Sequence, residues 1–122
     1  MFKRLAETAN SAAYQSLVNE ITPRVKPVFE KACELAPEFI TDDTKYRSHV
    51  AEPAWLAVTG ITGGVVSMIP NLHERFIAAL IHARSTLLVV DSTTKKVSLV
   101  EGARDRLPHV LLEGLRKPIV TG

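Results

Sequence analysis

Apolar residues recur at steps of three and four along much of the chain, which is the period of an amphipathic α-helix. The first such stripe consists of Phe2, Leu5, Ala6, Ala9, Ala13 and Leu17. It predicts a helix over residues 2–20 that ends at Thr22-Pro23, because proline removes a backbone donor. A second stripe predicts another helix, which begins at Pro23 or Pro27 and closes at Pro37.

The middle of the chain combines one short helical signal with an apolar segment of ambiguous type. Thr41, Asp42 and Asp43 offer caps for a helix over residues 43–51, which Glu52-Pro53 should end. Residues 65–69 suit a buried strand as well as the start of a helix, because so short an apolar run has no readable period.

The second half of the chain predicts a helix followed by a β-hairpin. The helix covers residues 71–84, and its apolar stripe is wide enough to imply contacts on two sides. Residues 86–100 predict the hairpin, with a buried strand over 86–90 and an edge-like strand in which polar Lys96 and Ser98 alternate with apolar residues.

The chain closes with one more predicted helix and a candidate third strand. The helix runs over residues 107–116, with Pro108 in its first turn. Gly114 should weaken that helix or help to end it. Residues 118–121 are apolar enough to supply a third strand to the hairpin, and a partner chain is the alternative source.

Together these elements predict an α+β fold, a mainly helical single domain over residues 1–122 with the hairpin packed on the 71–84 helix. The 122 residues are 46% apolar and carry a net charge of +2. That composition excludes a disordered chain and argues against a nucleic-acid partner. Cys33 has no partner for a disulfide, and no signal-peptide pattern follows Met1, so we expect a cytoplasmic location.

Residues 53–72 carry no charged side chain and raise the question of a membrane segment. A spanning helix needs about 20 mostly apolar residues. Here glycines, prolines and hydroxyl residues interrupt the run, which favours a buried core segment with a glycine turn. Gly60, Gly63 and Gly64 are the candidates for cofactor binding, but they lack the lysine and the spacing of known phosphate loops. A turn is the favoured interpretation, and we expect no cofactor.

The candidate catalytic residues are His73, Glu74 and His49, chosen because they border the glycine segment in sequence. We expect no metal site. His73 and His82 are nine residues apart on one predicted helix, so they point to opposite sides instead of forming the i,i+4 pair of a helical site.

The hairpin resembles an incomplete sheet, which a two-fold mate could complete. We therefore predict a small interaction protein that forms a homo-oligomer or binds a protein partner. The candidate interface residues are Trp55, Lys96, Ser98 and Val100. The alternative is a membrane-associated protein that uses the N-terminal amphipathic helix and segment 53–72, and the third hypothesis is a small enzyme with a His/Glu site.

Overall fold

The chain is mostly helical and carries an antiparallel hairpin. The computed structural model describes residues 2–61 and 69–117. The helices are α1 (Phe2–Leu35), α2 (Glu38–Thr41), α3 (Asp43–Tyr46), α4 (Glu52–Val58), α5 (Leu72–Leu87) and α6 (Ala103–Arg116), with a π-turn over Arg47–Ala51. The strands are β1 (Leu88–Val90) and β2 (Val97–Leu99). This agrees with the predicted helix-rich α+β class.

The prediction that Thr22-Pro23 ends the first helix is wrong. Helix α1 is continuous from Phe2 to Leu35 through Pro23 and Pro27, both of which are exposed. Its opposite face is a buried stripe formed by Leu17, Val18, Ile21, Val25, Phe29 and Ala32. Burying one large apolar side chain is worth about 1.5–3 kcal/mol. Several such side chains outweigh the cost of about 3 kcal/mol for each interior proline.

The prediction that Glu52-Pro53 ends the helix over residues 43–51 is also wrong. Asp42 caps α3 as predicted, since its carboxylate accepts the Lys45 N–H at 3.0 Å. The chain then enters the π-turn, where the Glu52 N–H donates to the Arg47 carbonyl. This wider turn leads into α4 with Pro53 in its first turn, where a missing N–H costs little.

Helix α5 is central to the core, as its wide apolar stripe predicts. It packs along α6 and also contacts α4, the π-turn and β1. Its buried side chains are Leu72, Phe76, Ile77, Ala79, Leu80, Ala83 and Leu87. Helix α6 begins at Ala103, earlier than the predicted residue 107, directly after Gly102 in the left-handed conformation. The prediction that Pro108 stands in its first turn is therefore wrong, because Pro108 lies in the helix interior.

The predicted hairpin is present, with Leu88 opposite Leu99 and Val90 opposite Val97. Its strands are shorter than predicted because α5 continues to Leu87, and the Leu88 N–H still donates to the Arg84 carbonyl. β1 lies against α5, and β2 lies against α1. The expectation of a buried first strand is wrong at Val89, whose side chain is 49% exposed.

Two predicted strands fall largely outside the described residues. The candidate third strand over 118–121 lies there entirely. Of the candidate strand over 65–69, only Ile69 is described, and its side chain is buried.

Candidate functional site

His73 lies in a cluster that joins the start of α5 to the start of α4. Its Nε2 is 3.2 Å from Oε2 of Glu52, whose other oxygen is 3.5 Å from Nε of Arg47. The Trp55 indole packs against the His73 ring at 5.0 Å between ring centroids. Glu74 approaches the second ring nitrogen, with Oε1 3.7 Å from Nδ1. Glu52 is therefore the partner of His73 that sequence reasoning missed.

This cluster has the geometry of a surface ion-pair network. The His73 and Glu52 side chains are 39% and 36% exposed, so each pair contributes about 0–1 kcal/mol. The two carboxylates sit at opposite nitrogens of the imidazole, so they do not converge on one ion. Within residues 2–61 and 69–117, no group of three His, Cys, Asp or Glu side chains is placed to hold a metal.

His49, the third candidate catalytic residue, has a different environment. Its ring stacks on Phe39 of α2, with centroids 4.4 Å apart and an interplanar angle of 11°. In the described part of the chain, no hydrogen bond, ion pair or ring contact joins His49 to His73 or Glu74. The structure therefore brings His73 and Glu74 together and gives His49 a separate aromatic partner.

Of the three glycine candidates, Gly60 lies among the described residues. Gly60 follows α4, and nothing lies within 4 Å of the position that a Cβ would occupy there. The backbone at Gly60 is therefore open instead of forming a cradle. Gly63 and Gly64 lie outside the described residues.

Trp55, a candidate interface residue, is half-buried and faces inward. It lines an apolar cavity of about 90 Å³ between α1, α4 and α5, together with Leu17, Ile21, Val58, Thr59, Ile61, Leu72 and Phe76. The Thr59 hydroxyl already donates to the Leu56 carbonyl at 2.8 Å. The cavity is therefore lined almost entirely by apolar groups, and the large apolar side chain that α4 exposes to solvent is Leu56, at 70%.

Of the other candidate interface residues, Ser98 lies on β2, and Lys96 and Val100 flank it. The ladder between β2 and β1 fixes which peptide groups are free. The Asp91 N–H donates to the Lys96 carbonyl at 2.8 Å, and the Val100 N–H donates to the Leu87 carbonyl at 2.9 Å. Hydrogen-bonded pairs alternate along an antiparallel ladder. Ser98 therefore bonds to β1, and the peptide groups of its two neighbours point the other way.

These two neighbours, Val97 and Leu99, form the outer edge of β2. Each contributes one N–H and one C=O, and no residue in the described part of the chain hydrogen-bonds to them. Their side chains are half-buried, whereas Lys96 and Ser98 are exposed, as the alternation predicts. β2 thus presents an unpaired backbone edge beside a polar face.

A groove of about 280 Å³ opens beside the first residue of β2. One wall is the end of α1 with Leu35, Ala36 and Pro37, and the other wall is Lys95, Lys96 and Val97. Leu35 is 54% exposed. This space, called the α1–β2 groove below, leaves room beside the edge of β2 at Val97.

Cys33 also borders the α1–β2 groove, but its thiol is poorly suited to nucleophilic chemistry. Burial and the neighbouring carboxylates of Glu30 and Glu34 raise its pKa above the ordinary 9.0. The thiolate is the reactive form of cysteine. Cys33 is therefore a packing residue.

No helix within the described residues has the length and hydropathy needed to span a membrane. Comparison of the chain with models of known protein families, with curated proteins and with solved structures found no match.

Proposed function

We propose that the protein acts by self-association, forming a two-fold dimer in which two copies of β2 pair antiparallel. The two hairpins then join into one four-stranded sheet. The observation that carries this proposal is the outer edge of β2, where the peptide groups of Val97 and Leu99 have no partner in the described part of the chain. An unpaired strand edge is a template for another strand.

One register of the two strands uses every free group on this edge. With the two-fold axis at Ser98, Val97 of each copy lies opposite Leu99 of the other. Because both residues point their peptide groups outward, the two pairs form four interchain hydrogen bonds. If the two-fold axis passed through Val97 instead, Val97 would pair with Val97 of the other copy, and Leu99 would no longer lie opposite Val97. An axis at Leu99 would have the converse effect.

The same register suits the exposed face of β2. It places the two Ser98 side chains directly opposite each other, where hydroxyls can hydrogen-bond across strands. Four backbone hydrogen bonds contribute about 2–6 kcal/mol in total. Association costs about 4–15 kcal/mol in lost translational and rotational freedom, so side chains beside the edge must also contribute to a stable dimer.

Light scattering after size exclusion, over a dilution series in detergent-free buffer, tests the proposal. We expect a mass near twice 13.4 kDa that falls on dilution. Val97→Pro removes an outward N–H and breaks no bond to β1, so it should give a monomer. Val97→Ala is the matched control, because it shortens the side chain and keeps that N–H.

Amide hydrogen exchange of the unmodified protein gives a second readout that does not depend on a variant folding. In the dimer, the Val97 and Leu99 amides should exchange slowly and become fast on dilution. A wild-type chain that stays monomeric at all concentrations would overturn the proposal, as would dimerisation of Val97→Pro as tight as that of Val97→Ala. No observation among the described residues favours the membrane-associated or the enzymatic hypothesis over this one.

A further inference from the structure

We infer that the α1–β2 groove of each copy receives Glu101 of the other, so that two symmetric sets of Lys–Glu ion pairs add to the dimer and favour this register over others. This inference rests on the proposed pairing of β2 with its own copy. It names the side chains that add to the four backbone hydrogen bonds.

The register about Ser98 brings the two ends of β2 together. In that register Lys96 of one copy lies opposite Val100 of the other, and the next residues along each chain, Lys95 in the left-handed conformation and Glu101 in a turn, lie just beyond the two strand ends that meet. The α1–β2 groove flanks Lys95 and Lys96. The end of β2 that carries the groove therefore meets the end that carries the carboxylate, and this happens twice because the dimer is two-fold.

The charges at these two ends are uncompensated within one chain. Lys95, Lys96 and Glu101 are exposed, and none of them makes an ion pair in the described part of the chain. Arg104 lies one turn beyond Glu101, but its guanidinium pairs with Glu30 at 3.0 Å. Glu34 lines the same groove, but in the described part of the chain it forms no ion pair with Lys95 or Lys96.

A second copy fits this groove better than an unrelated acidic segment does. One strand carries the unpaired backbone edge, the two lysines at its start and the glutamate just after its end. Only an antiparallel copy of the same strand matches all three in one register. Lysines at an edge commonly prevent strand pairing, and here the carboxylate of the second copy removes that repulsion.

Charge exchange tests the inference. In a dimer of the double variant Lys95→Glu, Lys96→Glu, negative side chains meet Glu101 of the other copy at both ends. In a dimer of the Glu101→Lys variant, positive side chains meet at both ends. We expect each variant to raise the dimer dissociation constant about tenfold or more at low salt. Mixing the two variants in equal amounts should restore dimer formation, because both ends of the mixed dimer are then complementary. Glu113→Lys, on α6, is the control for the change in net charge.

The dilution series separates failure of this inference from failure of the proposed dimer. A wild-type chain that never dimerises overturns both. If the wild type dimerises through Val97 but the charge variants dimerise equally tightly, or their mixture gains nothing, the placement of Glu101 is wrong and the β2 dimer stands. If only the lysine variant weakens the dimer, a carboxylate other than Glu101 occupies the groove, and the inference is overturned.

Discussion

Gly114 of α6 lies against the backbone of Ala79 in α5. A Cβ added at Gly114 would be 2.5 Å from Cβ of Ala79 and 2.9 Å from its Cα. Both residues are buried, and α6 continues past Gly114 to Arg116. From the sequence alone, this glycine is expected to weaken or end the helix. Its role in the structure is to let two core helices approach closely.

We expect Gly114→Ala to destabilise the protein by about 1–3 kcal/mol. Alanine favours a helix over glycine by about 1 kcal/mol, so a purely local effect would have the opposite sign. The added methyl group meets the Ala79 backbone, which has no flexible end to move away. Urea denaturation followed by circular dichroism measures the change.

Gly60→Ala is the matched control for this substitution. Gly60 is exposed, and no atom lies within 4 Å of its missing Cβ. The same change should therefore be neutral or add about 0.4–1 kcal/mol through the unfolded chain. Equal stability of the Gly114→Ala variant and the wild type would contradict the close contact between α5 and α6.

Pro23→Ala should stabilise the protein, although most single substitutions destabilise a protein. Pro23 is exposed within α1, and alanine would restore an N–H toward the Asn19 carbonyl. The gain is up to about 3 kcal/mol, less about 0.4–1 kcal/mol for the freer unfolded chain. Thermal unfolding measures it. A lower melting temperature would show that the proline ring contributes to the native packing of α1.

These helices show which parts of the fold can be read from sequence. Helix α5 can be predicted because its wide apolar stripe and its flanking residues are all close together in the sequence. The break at Pro23 was predicted wrongly because a local cost is outweighed by burial against α4 and α6, which no local pattern displays. The π-turn before Pro53 is likewise not predicted by any local pattern in the sequence.

The candidate sites divide in the same way. Lys96 and Ser98 were placed on one face of β2 by alternation alone, and the structure agrees. The free edge at Val97 and Leu99 depends on register with β1, which in turn depends on where α5 ends. Glu52 could not be assigned to His73, because 21 residues separate them and only the packing of α4 on α5 brings them together.

Asp91→Ala should loosen the hairpin turn. The Asp91 carboxylate accepts the N–H groups of Thr93 at 2.8 Å and Thr94 at 2.9 Å. We expect faster amide exchange at both threonines and weaker signals from the β1–β2 ladder in NMR spectra. Asp91→Asn is the control, because its side-chain oxygen can accept the same bonds. Unchanged exchange in Asp91→Ala would contradict this role.

The same turn should also respond to acid. Hydrogen bonds from Thr94 and Thr93 hold the pKa of Asp91 below its ordinary 3.8. Because the folded pKa is the lower one, the contribution is present above the unfolded pKa and is lost as pH falls through the folded value. Exchange at Thr93 and Thr94 should therefore rise below about pH 4 relative to the Asp91→Asn variant.

Tyr46→Phe should leave stability unchanged or raise it by about 1 kcal/mol. The Tyr46 ring is fully buried, and its hydroxyl has no hydrogen-bond partner in the described part of the chain. The Arg84 guanidinium lies 5.5 Å from the ring centroid and forms an ion pair with the Asp43 carboxylate. Phenylalanine keeps the ring contact and removes the unsatisfied hydroxyl. A loss above about 1 kcal/mol in urea denaturation would show that the hydroxyl is bonded.

Tyr46 should also make the protein sensitive to alkali. Burial raises the pKa of its phenol far above the ordinary 10.0, and the charge of Arg84 offsets this only in part. The unfolded chain therefore loses this proton first, so the contribution is fully present below about pH 10 and is lost as pH rises further. Between about pH 10 and 11.5, wild-type stability should fall more steeply than that of Tyr46→Phe, by up to about 1.4 kcal/mol per pH unit. Urea denaturation of both proteins across this range measures the difference, and parallel curves would contradict the burial of the phenol.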